Sequence, residues 1–490
     1  MSLSNKFAPE SKFKKLENYK LLPIRFSRLD KQRFVITNIV GEHFVLTQSE
    51  LSNLIRKEGE LPNHILSSLY AKHMIYNGES HTPLMYTGLK YRTKIARLKN
   101  FTALHMVVTT LRCDYTCNYC QVSRQNLSAS KDQYDMTQET ADNVIINIFN
   151  SPSKAIKIEF QGGESLLNFD IIKYIVTKSL PIAKSQQRDL QFVIATNLSP
   201  LNDEILSFCK LHSIYISTSL DGPKYLHDKN RPKPERDGYD STIEGINKIR
   251  ESIGVNHVSA LMTTAGRSLD YPIEIVNEYI EKGFNSIFLR PLSPYGFAVT
   301  KGHINRYDTK RWLEFYKKAL DYIININKSG YKLIEQYSSL VLTKILTARD
   351  LGYVDLQSPT GAMISGIIYN YDGNVFASDE ARMQAEMGHN EFLLGNVNKN
   401  SYEEIISNDY MLDAIDKSMA ISCPNCHDCA FLPYCGSDPV YHQSTQNSVV
   451  GDKMLSGFCA KNMGVFKHLI TLLEDSDEET KSILKSWARF

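Results

Sequence analysis

Short alternations of apolar and polar residues fill the chain from about Leu21 to Ile75. The runs "PIRFSRL", "RFVITN" and "HFVLT" are joined by the turn-like "LDKQ" and "VGE", and they predict three strands. Two segments with helical spacing follow, "QSELSNLIRKEG" and "PNHILSSLYAKHMI", the first capped by Ser49 and the second opened by Pro62. Strands followed by helices over so short a stretch suit a winged-helix-like module within residues 1–95. The same pattern also fits a plain amino-terminal extension of the next domain.

From Leu104 to about Asp321 the pattern changes to an alternation of strand and helix. Strand-like runs are "LHMVVTT", "IKIEF", "LQFVIATN", "IYISTSLD", "HVSALMTT" and "SIFLRPL". Between them lie helix-like stretches such as "TQETADNVIINIFN", "EILSFCKLH" and "DYPIEIVNEYIEKG". Repeated βα units predict parallel strands with crossover helices, and chemistry in such folds sits at the carboxyl ends of the strands. The polar signals lie at those ends: a cysteine row after the first run, "QGGES" after the second, "ATN" after the third and "SLDGP" after the fourth. Residues 321–470 are less regular and carry a second crowd of cysteines. The tail, 471–490 ("LEDSDEETKSILKSWARF" from Leu473), reads as a solvated terminal helix.

Composition narrows the class. The chain has 490 residues, 42% hydrophobic and 22% charged, with a formal net charge of +2. That balance describes a globular protein and gives no reason to expect nucleic acid as a partner. The amino terminus has no apolar core of a secretory signal, and no stretch approaches ~18 consecutive apolar residues. A cytoplasmic, reducing setting follows, in which clustered cysteines are metal or redox ligands before they are disulfides.

Three of the 9 cysteines, Cys113, Cys117 and Cys120, fall in "TLRCDYTCNYC" as C-x₃-C-x₂-C. Three thiolates hold three corners of a [4Fe–4S] cluster and leave one iron open, whereas a structural zinc needs a fourth protein ligand. This row, after the first strand of a six-fold βα pattern, resembles the radical S-adenosylmethionine superfamily. The resemblance implies a partial (β/α)₆ barrel, with the cofactor chelating the open iron and a 5′-deoxyadenosyl radical abstracting hydrogen from the substrate. It also implies an electron donor such as flavodoxin or ferredoxin. In its terms Gly162, Gly163 and Glu164 meet the methionyl amine, Tyr119 lies against adenine, and Asn197 and Ser219 contact ribose or carboxylate. Taken singly, Gly162 and Gly163 also read as an ordinary strand–helix turn.

"CPNCHDCAFLPYCGSDP" supplies Cys423, Cys426, Cys429 and Cys435, and "GFCAKN" supplies Cys459. The spacing is similar to the SPASM extension of peptide-modifying radical enzymes, with Cys426, Cys429, Cys435 and Cys459 on family positions. Three other family positions fall on Pro439, about Thr360, and Ser378. The family assigns the missing ligands to one auxiliary cluster and the retained ones to the other, which implies one auxiliary [4Fe–4S] cluster. A structural Cys₄ zinc is the alternative that spacing alone permits. Cys423 is an extra thiol, and Cys209 reads as a buried apolar side chain. In related sulfatase maturases an aspartate after the cysteine in the place of Ser378 is the proposed base. That position is Asp379 here, which otherwise reads as part of an exposed "DEAR" turn.

Longer strings, "RCDYTCNYCQVSRQ", "EFQGGESLLNF", "STSLDGP", "FLRPLSPYGFAV", "YNYDGNVFASDEARMQAEMG" and "YCGSDPVYHQSTQ", resemble the HxsB family of His-Xaa-Ser system maturases. That resemblance implies an oxidoreductase-type enzyme modifying a ribosomally made precursor peptide with His-Xaa-Ser repeats, beside a second radical enzyme, HxsC. It makes the amino-terminal module a peptide-recognition element that adds the peptide as a strand to a sheet edge. The competing reading is a non-catalytic iron–sulfur partner or scaffold of HxsC.

Overall fold

The computed structural model describes residues 19–235, 237–295 and 307–489. The far amino terminus and most of the "YGFAV" end of one quoted string lie outside them. The amino-terminal unit is an antiparallel sheet of β1 (Ile24–Arg28), β2 (Arg33–Asn38) and β3 (His43–Thr47), followed by helices α1 (Gln48–Arg56) and α2 (Asn63–Ala71). Thr47, not Ser49, caps α1. Its side chain accepts from the Glu50 amide and the Glu50 carboxylate returns to the Thr47 amide, a reciprocal capping box.

Successive residues of β2 face opposite ways. Ile36 joins a small core with Leu54 and Leu69, whereas Val35 belongs to the main core of the molecule. The unit is therefore buried against the body and not suspended from it. Helix α3 (Thr82–Ile95) leads out of it.

The body is a nine-stranded sheet. Its strands alternate with helices: β4 (Leu104–Thr110), α4 (Gln138–Asn150), β5 (Ala155–Gly162), α5 (Phe169–Ser185), β6 (Asp189–Thr196), α6 (Asp203–Leu211) and β7 (Tyr215–Ser219). Then come α7 (Gly238–Ser252), β8 (Val258–Thr264), α8 (Pro272–Glu281) and β9 (Leu289–Pro291). Strands β4 to β9 lie side by side in chain order and are parallel throughout. Six of the seven residues of β4 are buried, as expected of a strand covered on both faces.

After α9 (Thr309–Lys328) and α10 (Gln336–Leu346), β10 (Gly366–Tyr369) adds in parallel beside β4. A hairpin-like extension, β11 (Asn374–Phe376) and β12 (Leu393–Asn396), continues the sheet antiparallel, with α11 (Asp379–Ala385) between them. Helices α12 (Pro439–Gln446), α13 (Gly457–Asp475) and α14 (Glu478–Trp487) close the chain. The last helix is not the solvated tail expected from its charge. Leu484 and Trp487 are buried in the main core, and the Trp487 carbonyl accepts from the Ser339 hydroxyl at 2.7 Å. No helix among the described residues is long and apolar enough to cross a membrane.

Candidate active site

The cysteine row leaves the sheet at a defect. The pairing of β4 with β5 shifts register between Val108 and Thr110, a bulge that bends the chain away from the ladder. The loop that follows is fixed by a buried pair: Arg112 reaches Asp135 through Nε at 2.8 Å and Nη2 at 2.7 Å, and the Thr110 hydroxyl donates to the same carboxylate at 2.6 Å. The far wall is backbone. The Gly163 amide donates to the Thr110 carbonyl at 2.9 Å and the Glu164 amide to the Arg112 carbonyl at 2.8 Å. A Cβ on Gly162 would collide with the Thr110 carbonyl oxygen, and one on Gly163 with the carbonyl oxygens of Leu111 and Arg112. Gly162 also has φ +153°, a conformation open to glycine. Whatever else these glycines meet, they let the end of β5 seat the cysteine loop.

Cys113 is buried, and the Tyr115 amide donates to its sulfur at 3.4 Å. The Cys120 amide donates to the Cys117 carbonyl at 3.2 Å, which curls the last two cysteines into one turn. Burial pushes the Cys117 thiol up to about 11, opposed by the nearby Arg231 guanidinium, and burial also pushes the Cys113 thiol up. Cys113 is buried and Cys117 and Cys120 are half-buried, with one backbone amide and one cation near their sulfurs. Such surroundings fit thiolates shared with iron, where N–H donors and positive charge offset the negative charge of the ligands.

The other predicted residues fall around this loop. The Tyr119 hydroxyl donates to Asp221 at 2.6 Å and accepts from Arg231 at 2.7 Å, in a buried network. Glu164 is buried at the turn, its carboxylate accepting from the Leu166 amide at 3.0 Å, the Thr196 hydroxyl at 2.6 Å and the Asn197 amide at 2.7 Å. Burial raises its pKa to about 7 against those three donors. Asn197 at the end of β6 donates to Asp114 at 2.8 Å, which ties a third strand end to the cysteine row. Ser219 is the last residue of β7, half-buried. Asp221 and Arg231 were not singled out from the sequence. Asp221 sits inside the quoted "SLDGP", whereas nothing local marks Arg231, which meets Tyr119 across 112 residues.

In the second group Cys426, Cys429, Cys435 and Cys459 are half-buried free thiols whose negative forms repel one another electrostatically. Burial pushes Cys426 up to about 12 and Cys459 up to about 11. The Asn462 amide donates to the Cys435 sulfur at 3.5 Å. By residue type, four thiols with an N–H donor suit a cluster or a Cys₄ metal alike. Cys423 is buried and donates to the Lys417 carbonyl at 3.4 Å. Among the described residues no group of three or more His, Cys, Asp or Glu is drawn together as around a single metal ion.

The places where the SPASM pattern would have further cysteines carry local structural roles. The Thr360 hydroxyl accepts from the Ala362 amide, Ser378 caps α11 by accepting from the Ala381 amide at 3.2 Å, and Pro439 is the first residue of α12. Asp379 begins α11, its carboxylate 3.6 Å from the buried Arg382 guanidinium and its side chain 19% exposed. It is neither a free surface turn nor, by position, a wall of the adjacent cavity, which Glu380 lines instead.

Residues 107–279 match the profile of the Radical SAM superfamily, and the chain belongs to that superfamily. Among curated relatives it is 30% identical over 192 residues to an uncharacterized protein of Methanocaldococcus jannaschii, covering 39% of this chain and 63% of that protein. It is also 24% identical over 436 residues to the radical SAM cyclopropyl synthase TigE of Paramaledivibacter caminithermalis, covering 86% of this chain and 82% of the relative. The fold is similar to that of anSMEcpe solved with bound AdoMet, with a TM-score of 0.64 at 16% identity over 76% of this chain and all of that one. It is similar too to Streptococcus suis SuiB bound to its precursor peptide SuiA, with a TM-score of 0.52 at 15% identity over 90% of this chain and 100% of that one.

Proposed function

We propose that this radical SAM enzyme modifies a ribosomally made precursor peptide, as an HxsB-type maturase of a His-Xaa-Ser system working beside HxsC. Cys113, Cys117 and Cys120 would hold the first [4Fe–4S] cluster, and Cys426, Cys429, Cys435 and Cys459 an auxiliary one. When bound, the cluster and S-adenosylmethionine supply a 5′-deoxyadenosyl radical. The chain's part is to place and shield it. Gly162 and Gly163 keep the loop close to the sheet, Glu164, Asn197 and Ser219 line the strand ends, and Tyr119 closes one side. Asp379 is the candidate acceptor of the proton released as product forms.

The observation that carries the reading is the loop itself: three cysteines on one bulged strand end at the carboxyl edge of a parallel sheet. The next cysteine in the chain, Cys209, is buried within α6 and is no fourth ligand of the row by position. The curated relative is named a radical SAM cyclopropyl synthase, and the structural neighbour was solved with a precursor peptide, which supports a peptide substrate here.

The test is anaerobic. Reconstituted protein should hold about eight irons and release 5′-deoxyadenosine from S-adenosylmethionine. Replacing Cys113, Cys117 and Cys120 by alanine should remove about half the iron and all cleavage. Cleavage by the triple variant would refute the site, and absence of cleavage by the wild type, with peptide present, would favour the scaffold reading.

A further inference from the structure

Beside the cysteine loop lies a cavity of about 190 Å³. It opens at the carboxyl end of β9 and is floored by the starts of α11 and α12. Its wall touches the cluster loop, because the Gln121 side chain donates to the carbonyl of Ser293, a lining residue, at 3.2 Å. Three carboxylates line it: Asp355, Glu380 and Asp438. Only two cations do so among the described residues, Arg290 and Lys461.

The pairing is incomplete. Arg290 lies 3.6 Å from Glu380, and Lys461 sits over the rings of Phe458 and Tyr337 at 5.3 and 5.5 Å. Asp438 accepts the Tyr441 amide at 2.8 Å as the cap of α12, and Asp355 accepts the Tyr353 hydroxyl at 3.3 Å. Two further groups in the wall are polar, almost fully buried and without a hydrogen-bond partner among the described residues: the Tyr295 hydroxyl and the Trp312 indole N–H. Buried polar atoms left unmatched, and carboxylates in excess over cations, are costly unless something fills the space. Much of the remaining wall is aromatic, and aromatic faces attract positive charge. A cation with apolar bulk matches the surplus carboxylate and the aromatic faces and can donate to the Tyr295 oxygen. The Trp312 N–H, a donor only, calls for an acceptor on the same peptide.

We propose that this cavity is the subsite for a cationic side chain of the peptide substrate, held by Asp355, Glu380 and Asp438 against the aromatic wall. The proposal rests on the peptide-maturase reading for its source of ligand, and it names a substrate class that reading leaves open. Burial and the neighbouring carboxylates already hold Asp438 up to about 7, so an arriving cation would lower the cost of ionising it. Glu380 lies two residues after Ser378 and Asp438 one before Pro439, so two of the three carboxylates stand close to places where the SPASM pattern has cysteines.

The experiment is calorimetric titration of the full-length reconstituted protein with N-acetyl amides of lysine, arginine and histidine. N-acetyl-norleucine amide serves as the neutral control and spermidine as a free cation. At least one cationic amide should bind at least tenfold more tightly than the norleucine derivative. Glu380→Gln and Asp438→Asn should each weaken it fivefold or more, and Asn retains the capacity to cap α12. Lys461→Met should tighten it, an opposite response that misfolding does not produce. Equal binding of the neutral amide, or variants that bind as the wild type, would overturn the proposal. Spermidine binding above all three amides would overturn the peptide source. Cation binding without any S-adenosylmethionine cleavage would overturn the maturase reading and leave the cationic subsite standing, whereas cleavage without cation discrimination would overturn the subsite alone.

Discussion

Gly163→Ala is the smallest change that should disable the loop. The added methyl would lie 2.8 Å from the Arg112 carbonyl carbon and closer still to the carbonyl oxygens of Leu111 and Arg112, where ordinary contact begins at 3.4 Å. All the colliding atoms are backbone, so no side chain can swing aside, and the turn and the loop must part by roughly 1 Å to restore van der Waals distance. Overpacking of this kind costs about 1–3 kcal/mol. The amide bonds Gly163 to Thr110 and Glu164 to Arg112 would lengthen with it, adding about 1 kcal/mol. A total of about 2–4 kcal/mol should lower the apparent melting temperature by several degrees. The same displacement of catalytic groups can cost about a hundredfold in rate. Iron per chain and the rate of uncoupled 5′-deoxyadenosine release, measured anaerobically, should both fall, while the far-ultraviolet circular dichroism is retained. Gly88→Ala is the control: it lies in exposed α3 with nothing within 4 Å of the new methyl, and it should stabilise by about 0.5–1 kcal/mol. An alanine at 163 that leaves iron content, melting temperature and cleavage at wild-type values would refute the close approach of the two backbones.

Asp379→Asn should leave 5′-deoxyadenosine release within about twofold but cut modified peptide by roughly a hundredfold, within the range for loss of a general base. Unchanged modification, followed by mass spectrometry, would assign the residue to its ion pair with Arg382. Burial holds the His105 imidazole down to about 3, so its neutral form contributes stability fully above the unfolded value of about 6.5, and that contribution fades as pH falls toward the folded value, by about 2 kcal/mol at pH 5. The melting-temperature gap between cluster-free wild type and His105→Gln should therefore shrink between about pH 7.5 and pH 5, and a gap independent of pH would exclude a neutral histidine. Phe26→Asp, at an exposed position on edge strand β1, should weaken capture of the precursor peptide about tenfold if that edge receives an added strand, with uncoupled cleavage unaffected. Equal affinity would remove β1 as the recognition edge. Deleting the unit would be a poorer test, because Val35 would leave a hole in the main core.

The parallel strands were legible because a strand buried on both faces must be apolar along its whole length, and "LHMVVTT" or "LQFVIATN" has few other uses. The sixth run was less so. "SIFLRPL" divides between two sheets, Ser286–Ile287 pairing with Ile334–Glu335 and Leu289–Pro291 with Met262–Thr264, and periodicity cannot register a change of partner. Ser49 was preferred as a cap by residue type, yet the box required an acceptor three positions before Glu50, and that is Thr47. The charged tail hid an apolar stripe of two large residues, Leu484 and Trp487, enough to dock a helix whose other faces stay in water. The cysteine row was readable because its ligands lie within eight positions, and the glycines because their turn follows a strand. Arg231 and Asp221 were not, since their meeting with Tyr119 is made by the fold and has no local period. The same holds for the acidic cavity. Asp355, Glu380 and Asp438 come from three separate segments, and only the fold brings the turn at Val354–Leu356 and the starts of α11 and α12 to one wall. Sequence spacing cannot join these segments, and the folded arrangement is what shows their carboxylates side by side.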